Sequence, residues 1–143
     1  MVIDTSAMLA VLFDEPERPA FTQLIARAER KRLSAATLVE LSIVVQARWE
    51  DSGERVLDLF IAKAGIDIIP VDTDQARLAR LAWKQFGKGR HPAALNYGDC
   101  FSYALARSVT EPLLFKGNDF ARTDIEPAWS GTLDSTDPGV EQT

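Results

Sequence analysis

The chain has 143 residues, 46% of them hydrophobic and 26% charged, which suits one globular domain with a real core and excludes wholesale disorder. Its net charge of −5, with a pI near 4.9, argues against a protein that coats nucleic acid non-specifically, because phosphate binding draws on Lys and Arg. A single cysteine, Cys100, and a single histidine, His91, exclude an internal disulfide, thiolate metal centres and zinc sites built on several His or Cys ligands.

In chain order, Met1 to Asp4 reads as a short buried strand running straight into a helix from Thr5 to about Phe13. Pro16 suits the first position of a second helix, Glu17 to about Lys31. Leu33 to Ala35 is a second short strand, and Leu38, Leu41, Val45 and Trp49 mark the apolar face of a helix from about Leu38 to Glu50. Gly53 interrupts it, and Val56, Leu59 and Phe60 mark a further helix to about Ala64. The β-branched run Ile66 to Val71, bounded by Gly65 and Asp72, predicts a third strand. Asp72 to Phe86 is helical with Ala76, Ala79, Trp83 and Phe86 on one face. Gly87, Gly89 and Pro92 then mark a loop, Asn96 to about Ser108 a helix, Pro112 to Phe115 a fourth strand, and the region of Ile125 a short fifth. One domain is expected over 1–129, and a disordered tail over 130–143, where Gly, Ser, Thr, Asp and Pro dominate.

Strands alternating with helices imply a three-layer α/β/α sandwich around a central, mostly parallel sheet of four to five strands. Such sheets bind their ligands beyond the carboxyl ends of the strands, which here means after Asp4 and at the turn Gly117-Asn118-Asp119. No apolar run approaches the roughly 20 residues that span a bilayer. No positive residue precedes the apolar part of the N-terminus, so a cytoplasmic location is expected.

With one histidine, no Gly-x-Ser-x-Gly elbow and no glycine-rich phosphate loop, the remaining chemistry is that of carboxylates with hard metals. Each candidate acid also has a structural reading. Asp4 suits a helix N-cap. Thr37-Leu38-Val39-Glu40 matches a capping box, Asn96-Tyr97-Gly98-Asp99 is a similar helix start, and Asn118-Asp119 follows a glycine in a turn. Together, however, all four converge on the carboxyl edge of the sheet, where two unit charges about 4 Å apart cost roughly 4 kcal/mol at an effective dielectric of about 20. A divalent cation relieves that repulsion, and oxygen ligands of this kind select Mg²⁺ or Mn²⁺. Two basic stretches, Arg27 to Arg32 and Lys84 to His91, read as a solvated helix end and a loop.

The segment Val2-Ile3-Asp4-Thr5-Ser6-Ala7 resembles the opening of PIN-domain proteins, and Leu95-Asn96-Tyr97-Gly98-Asp99-Cys100 resembles the helix start that carries their third acid. Leu113 to Phe120, followed by Thr123-Asp124-Ile125, is similar to the closing strand and turn of VapC-type toxins, and Glu40 falls where the family places its second acid. The resemblance covers roughly residues 1–126. It implies a metal-dependent ribonuclease in which Asp4 and Asp99 are the main metal ligands and Glu40 and Asp119 complete the site directly or through water. Thr5 or Ser6 would hold a water or a phosphate oxygen. Separately, position suggests that Lys88, Arg90 or Lys116 grips flanking phosphates, because Lys116 abuts the acidic turn and the loop with Lys88 and Arg90 precedes the helix carrying Asp99. Asp124 is read as a capping or turn residue. The resemblance further implies a homodimer, a cognate VapB-type antitoxin that covers the crevice, and translation inhibition through cleavage of a transfer RNA or a ribosomal RNA loop.

Two rivals from other classes stand beside it. A small-molecule phosphohydrolase of the haloacid-dehalogenase type needs Asp-x-Asp, and Ser6 occupies the position of the second Asp. An inactive RNA- or protein-binding module on the same fold would need a decayed site, yet all four acids are present.

Overall fold

Val2 and Ile3 are both buried and face opposite sides of a sheet, so the strand they form, β1 (Val2–Ile3), is apolar on both faces. The computed structural model describes residues 1–131 and continues with α1 (Thr5–Leu12), α2 (Arg18–Arg27), β2 (Arg32–Ser34), α3 (Ala35–Trp49) and α4 (Asp51–Ala64). Then follow β3 (Asp67–Ile69), α5 (Thr73–Phe86), α6 (Tyr97–Val109), β4 (Leu113–Leu114) and a 3-10 turn at Phe120–Arg122. The strands pair in parallel in the order β3-β2-β1-β4. Val2 stands opposite both Arg32 and Leu113, and Ile3 opposite Leu114. The chain therefore winds outward from β1 to β3 on one side and returns to lay β4 on the other. Connections part between β1 and β4, and that switch point opens a crevice beyond the ends of these two strands.

Each sheet face carries its own core. Val2 and Leu113 pack with Leu95, Tyr103 and Leu105 beneath α5 and α6. Ile3, Leu33 and Leu114 pack with Met8, Phe21, Leu41 and Leu57 beneath α1 to α4. The result is the three-layer α/β/α sandwich the alternation of elements predicts. Among the described residues, no helix is long and apolar enough to cross a membrane.

Several boundaries differ from expectation for local reasons. α2 has Glu17 as its N-cap and Pro19 within its first two positions, so Pro16 lies outside it. It ends at Arg27 because the next residues are drawn toward the sheet: the Met1 amine donates to Arg30 O, and Asp67 N donates to Lys31 O. The basic stretch Arg27 to Arg32 is spent partly on structure, since Lys31 Nζ donates to Ala64 O and Arg32 pairs with Glu111. α3 starts at Ala35, where the Ser34 hydroxyl accepts from Ala36 N, and not near Leu38. Gly53 lies inside α4, where it lets α4 press against the Val45 carbonyl; the break between the helices is Glu50, at φ 55°. On α5 the core-facing positions include Ala79 and Ala82, while Ala76 and Trp83 face a groove toward α6. No fifth strand forms among the described residues. The segment after Ile125 meets the outer edge of β4 through one bridge, Leu113 with Pro127. The tail expected to be disordered lies, from residue 132, outside the described residues.

Candidate active site

Asp4 follows β1 directly, and its N–H still belongs to the sheet, donating to Leu114 O at 2.9 Å. Its side chain caps α1 by accepting from Ser6 N at 3.1 Å, the structural role expected of this acid. The carboxylate is only 3% exposed and is held at both oxygens. Ser6 Oγ donates to Oδ2 at 2.6 Å, and Ser102 Oγ, from α6, donates to Oδ1 at 2.6 Å. The Thr37 hydroxyl, on α3, lies 3.4 Å from that of Ser102, and both are buried. Ser6 Oγ also accepts from Lys116 N at 3.0 Å, which ties the exit of β1 to the exit of β4 across the switch point.

Glu40 makes no capping box. Because the N-cap of α3 is Ser34 rather than Thr37, Glu40 sits in the second turn, beyond the orphan N–H groups of the helix start. Its Oε1 instead accepts from the Thr5 hydroxyl. Its carboxylate lies over Gly98, where a Cβ would overlap it. Gly98 thus permits a close approach between α3 and the first turn of α6.

Asp99 does form the expected capping box: its Oδ2 accepts from Asn96 N, and Asn96 Oδ1 accepts from Asp99 N, both at 2.9 Å. Asp119 opens the 3-10 turn with its side chain exposed and making no cap hydrogen bond. Gly117, at φ 95°, turns the chain out of β4 just ahead of it.

The four acids share one electrostatic field. The Asp99 carboxyl is pushed up to about 7, first by burial, against the Asn96 N–H that lowers it, and then by the charges of Asp4, Asp119 and Glu40. Yet the carboxylates form no ready ligand cage: among the described residues no group of three or more His, Cys, Asp or Glu stands in that arrangement. Asp4 is occupied by hydroxyl donors and Asp99 by its cap. The donor set nonetheless fits a hard cation. It is all oxygen, it concentrates negative charge, and one member is already driven toward its protonated form.

The remaining candidates are dispersed. Thr5 and Ser6 are engaged with Glu40 and Asp4. The Lys116 ammonium pairs with Glu15 and, at 3.2 Å, with Glu17, so this residue reaches the crevice through its backbone and not its charge. Lys88 and Arg90 are exposed in the loop after α5. Asp124, expected to cap or turn the chain, instead accepts from Tyr103 OH at 2.7 Å and lies 3.5 Å from Arg107, so its side chain ties this segment to α6. His91 is structural as well: its Nδ1 accepts from Ala93 N and its ring packs edge-on against Phe86. Ser102, Thr37 and Gly98 escaped sequence reading. The available signals were the Asp99-x-x-Ser102 spacing, which puts both on one helix face, and a glycine beside Asp99 at a helix start, where it costs helix propensity.

The PIN domain profile matches residues 1–126. The chain belongs to the PIN-domain family. Among curated PIN relatives, Ribonuclease VapC30 of Mycobacterium tuberculosis is 49% identical over 125 residues, covering 87% of this chain and 95% of its own length. Ribonuclease VapC of Mycolicibacterium smegmatis is also 49% identical, covering 87% of this chain and 97% of its own. Among solved structures, the sarcin–ricin-loop-cleaving toxin VapC20 of M. tuberculosis superposes with a TM-score of 0.67 at 17% identity, over 88% of this chain and 98% of its own. At that identity the likeness speaks to the fold, and the PIN fold is the three-layer sandwich described above.

Proposed function

We propose that this PIN-domain chain is a VapC-type ribonuclease toxin that hydrolyses RNA phosphodiesters at the acidic crevice with Mg²⁺ or Mn²⁺. The observation that carries the reading is the meeting of acids from distant parts of the chain at the start of α6: Ser102 of that helix holds Asp4, and the Glu40 carboxylate lies over Gly98, next to Asp99. Such a concentration of carboxylate is costly unless a cation shares it. The names of its curated relatives support the substrate class.

In this reading Asp4 and Asp99 are the principal ligands, and Glu40 and Asp119 complete the set directly or through water. When bound, the cation supplies a more acidic water and stabilises charge on the phosphoryl and leaving oxygens. The chain's own residues supply position. Ser6 and Ser102 fix both oxygens of Asp4, and Thr5 fixes Glu40 beside the first turn of α6. Asp119 stands at the solvent side, free to hold a water. In-line attack by water leaves a 5′-phosphate and a 3′-hydroxyl. Lys88 and Arg90 take the flanking phosphates, whereas Lys116, already neutralised by Glu15 and Glu17, does not.

The partners follow from the same reading: a homodimer, a cognate VapB-type antitoxin covering the crevice, and a transfer RNA or ribosomal RNA loop as target. A solved toxin–antitoxin complex from Klebsiella pneumoniae shares the fold, with a TM-score of 0.62. The test is expression of the chain beside its Asp4→Asn and Asp99→Asn variants, with growth and RNA integrity followed together. Growth arrest with discrete RNA fragments from the parent alone supports the reading. A harmless parent whose RNA matches both variants leaves an inactive binding module in its place.

A further inference from the structure

A groove of about 710 Å³ lies between α5 and α6, walled mainly by apolar side chains. Two of its aromatic rings face solvent yet are held in place. Tyr97, the first residue of α6, is 78% exposed, and its ring is propped edge-on against Phe101 with centroids 4.9 Å apart. Trp83 is 40% exposed and is backed by Gly87, where a Cβ would collide with its main chain and ring. Arg80 and Lys88 line the same groove, and neither forms an ion pair with a carboxylate among the described residues. The surrounding stretch, residues 73–91, holds five of the chain's 16 Lys and Arg but one of its 21 Asp and Glu. Asn96 joins groove to crevice: it lines the former, and its N–H holds the Asp99 carboxylate.

We propose that this groove seats an unpaired base of the RNA substrate next to the bond that is cut, an inference that rests on the ribonuclease reading. Tyr97 and Trp83 offer stacking faces, and Arg80 and Lys88 meet the phosphates on either side of the seated base. Aromatic faces flanked by cations are the chemistry of single-strand recognition, since every base presents a π-face and every link a negative charge. The positive rim decides between occupants. A second copy related by a twofold axis through the groove would bring Arg80 and Lys88 against their own likes, whereas RNA supplies the opposite charge. The substrate is then a loop or a single strand, because a base stacked in a duplex cannot enter.

The test uses the full chain carrying Asp119→Asn, so that RNA is not cut during binding. The probes are a labelled ten-nucleotide single-stranded RNA of mixed sequence, the same strand with one abasic site, and its duplex. Tyr97→Ala and Trp83→Ala, each confirmed folded by circular dichroism, are expected to weaken single-strand binding roughly tenfold and leave duplex binding alone. An abasic site at one position should weaken binding to the parent but not to the Tyr97→Ala form. Arg80→Gln should flatten the salt dependence of binding. Unchanged single-strand affinity in both aromatic variants overturns the groove assignment, and cleavage of RNA by the unsubstituted chain in the same series keeps the ribonuclease reading intact. Aromatic-dependent binding without any cleavage by that chain supports the groove and sinks the ribonuclease reading. If the aromatic variants instead turn a dimer into a monomer, or lose a protein partner, while RNA affinity holds, protein fills the groove and the inference falls.

Discussion

Ser102 Oγ donates to Asp4 Oδ1 at 2.6 Å, joining residues 98 apart in sequence at the point where β1 meets α6. Both groups are buried, so the hydroxyl satisfies a carboxylate oxygen that water cannot reach. Ser102→Ala strands that oxygen, a loss of about 1–3 kcal/mol for a buried group of this kind. The variant should melt earlier and bind Mn²⁺ more weakly in calorimetry, with kcat falling more than KM changes. A lower melting point with Mn²⁺ affinity intact would make Ser102 a packing residue only.

Gly98→Ala separates stability from activity. The residue lies inside a helix with no requirement for positive φ, so the new methyl group gains helix propensity of about 0.5–1 kcal/mol. The same methyl overlaps the Glu40 carboxylate, a flexible side-chain end that must move away. Thermal unfolding should be unchanged or slightly raised, while RNA cleavage drops at least about tenfold, as a misplaced catalytic group costs. Full cleavage by this variant would show that Glu40 acts elsewhere than over the α6 start.

Burial first, and then the neighbouring carboxylates, push the Asp99 carboxyl up to about 7 from its ordinary 3.8, so the fold binds this proton more tightly than the unfolded chain does. The stability it contributes is complete below about pH 3.8 and is lost as pH rises through about 7. In metal-free protein, the thermal midpoint should therefore decline across that window more steeply than in Asp99→Asn. Mg²⁺ or Mn²⁺ should bind more tightly as pH passes 7, because a proton no longer competes for the site. Parallel pH profiles for the parent and Asp99→Asn would show that burial and the neighbouring carboxylates do not raise the Asp99 carboxyl.

Lys116→Gln and Lys88→Gln should behave differently although both delete a cation beside the crevice. The Lys116 ammonium is held by Glu15 and Glu17, so its loss should lower the thermal midpoint and leave the salt dependence of RNA binding unchanged. Lys88 is exposed and pairs with no carboxylate among the described residues, so its loss should flatten that dependence without affecting melting. The reverse outcome, read by filter binding at several salt concentrations, would put the Lys116 charge on the substrate.

The order of helices and strands and the parallel sheet were legible in the chain alone, because each rests on local patterning. Val2-Ile3 and Leu113-Leu114 are apolar runs bounded by polar residues, and Asn96-x-x-Asp99 encodes its capping box within four residues. Boundaries failed where competing local signals existed. Thr37-x-x-Glu40 satisfies the capping pattern, yet Ser34 takes the cap because β2 ends there, and the freed Thr37 hydroxyl turns toward Ser102. Only the tertiary structure decided that Ser6 bridges two strand exits, that Gly98 makes room for Glu40, that Lys116 is spent on Glu15 and Glu17, and that Trp83 and Tyr97 border one groove. The contacts of Ser6 and Gly98 join stretches far apart in the chain, and their existence depends on how the β1–β4 switch point brings α1, α3 and α6 together. No spacing along the sequence encodes that meeting.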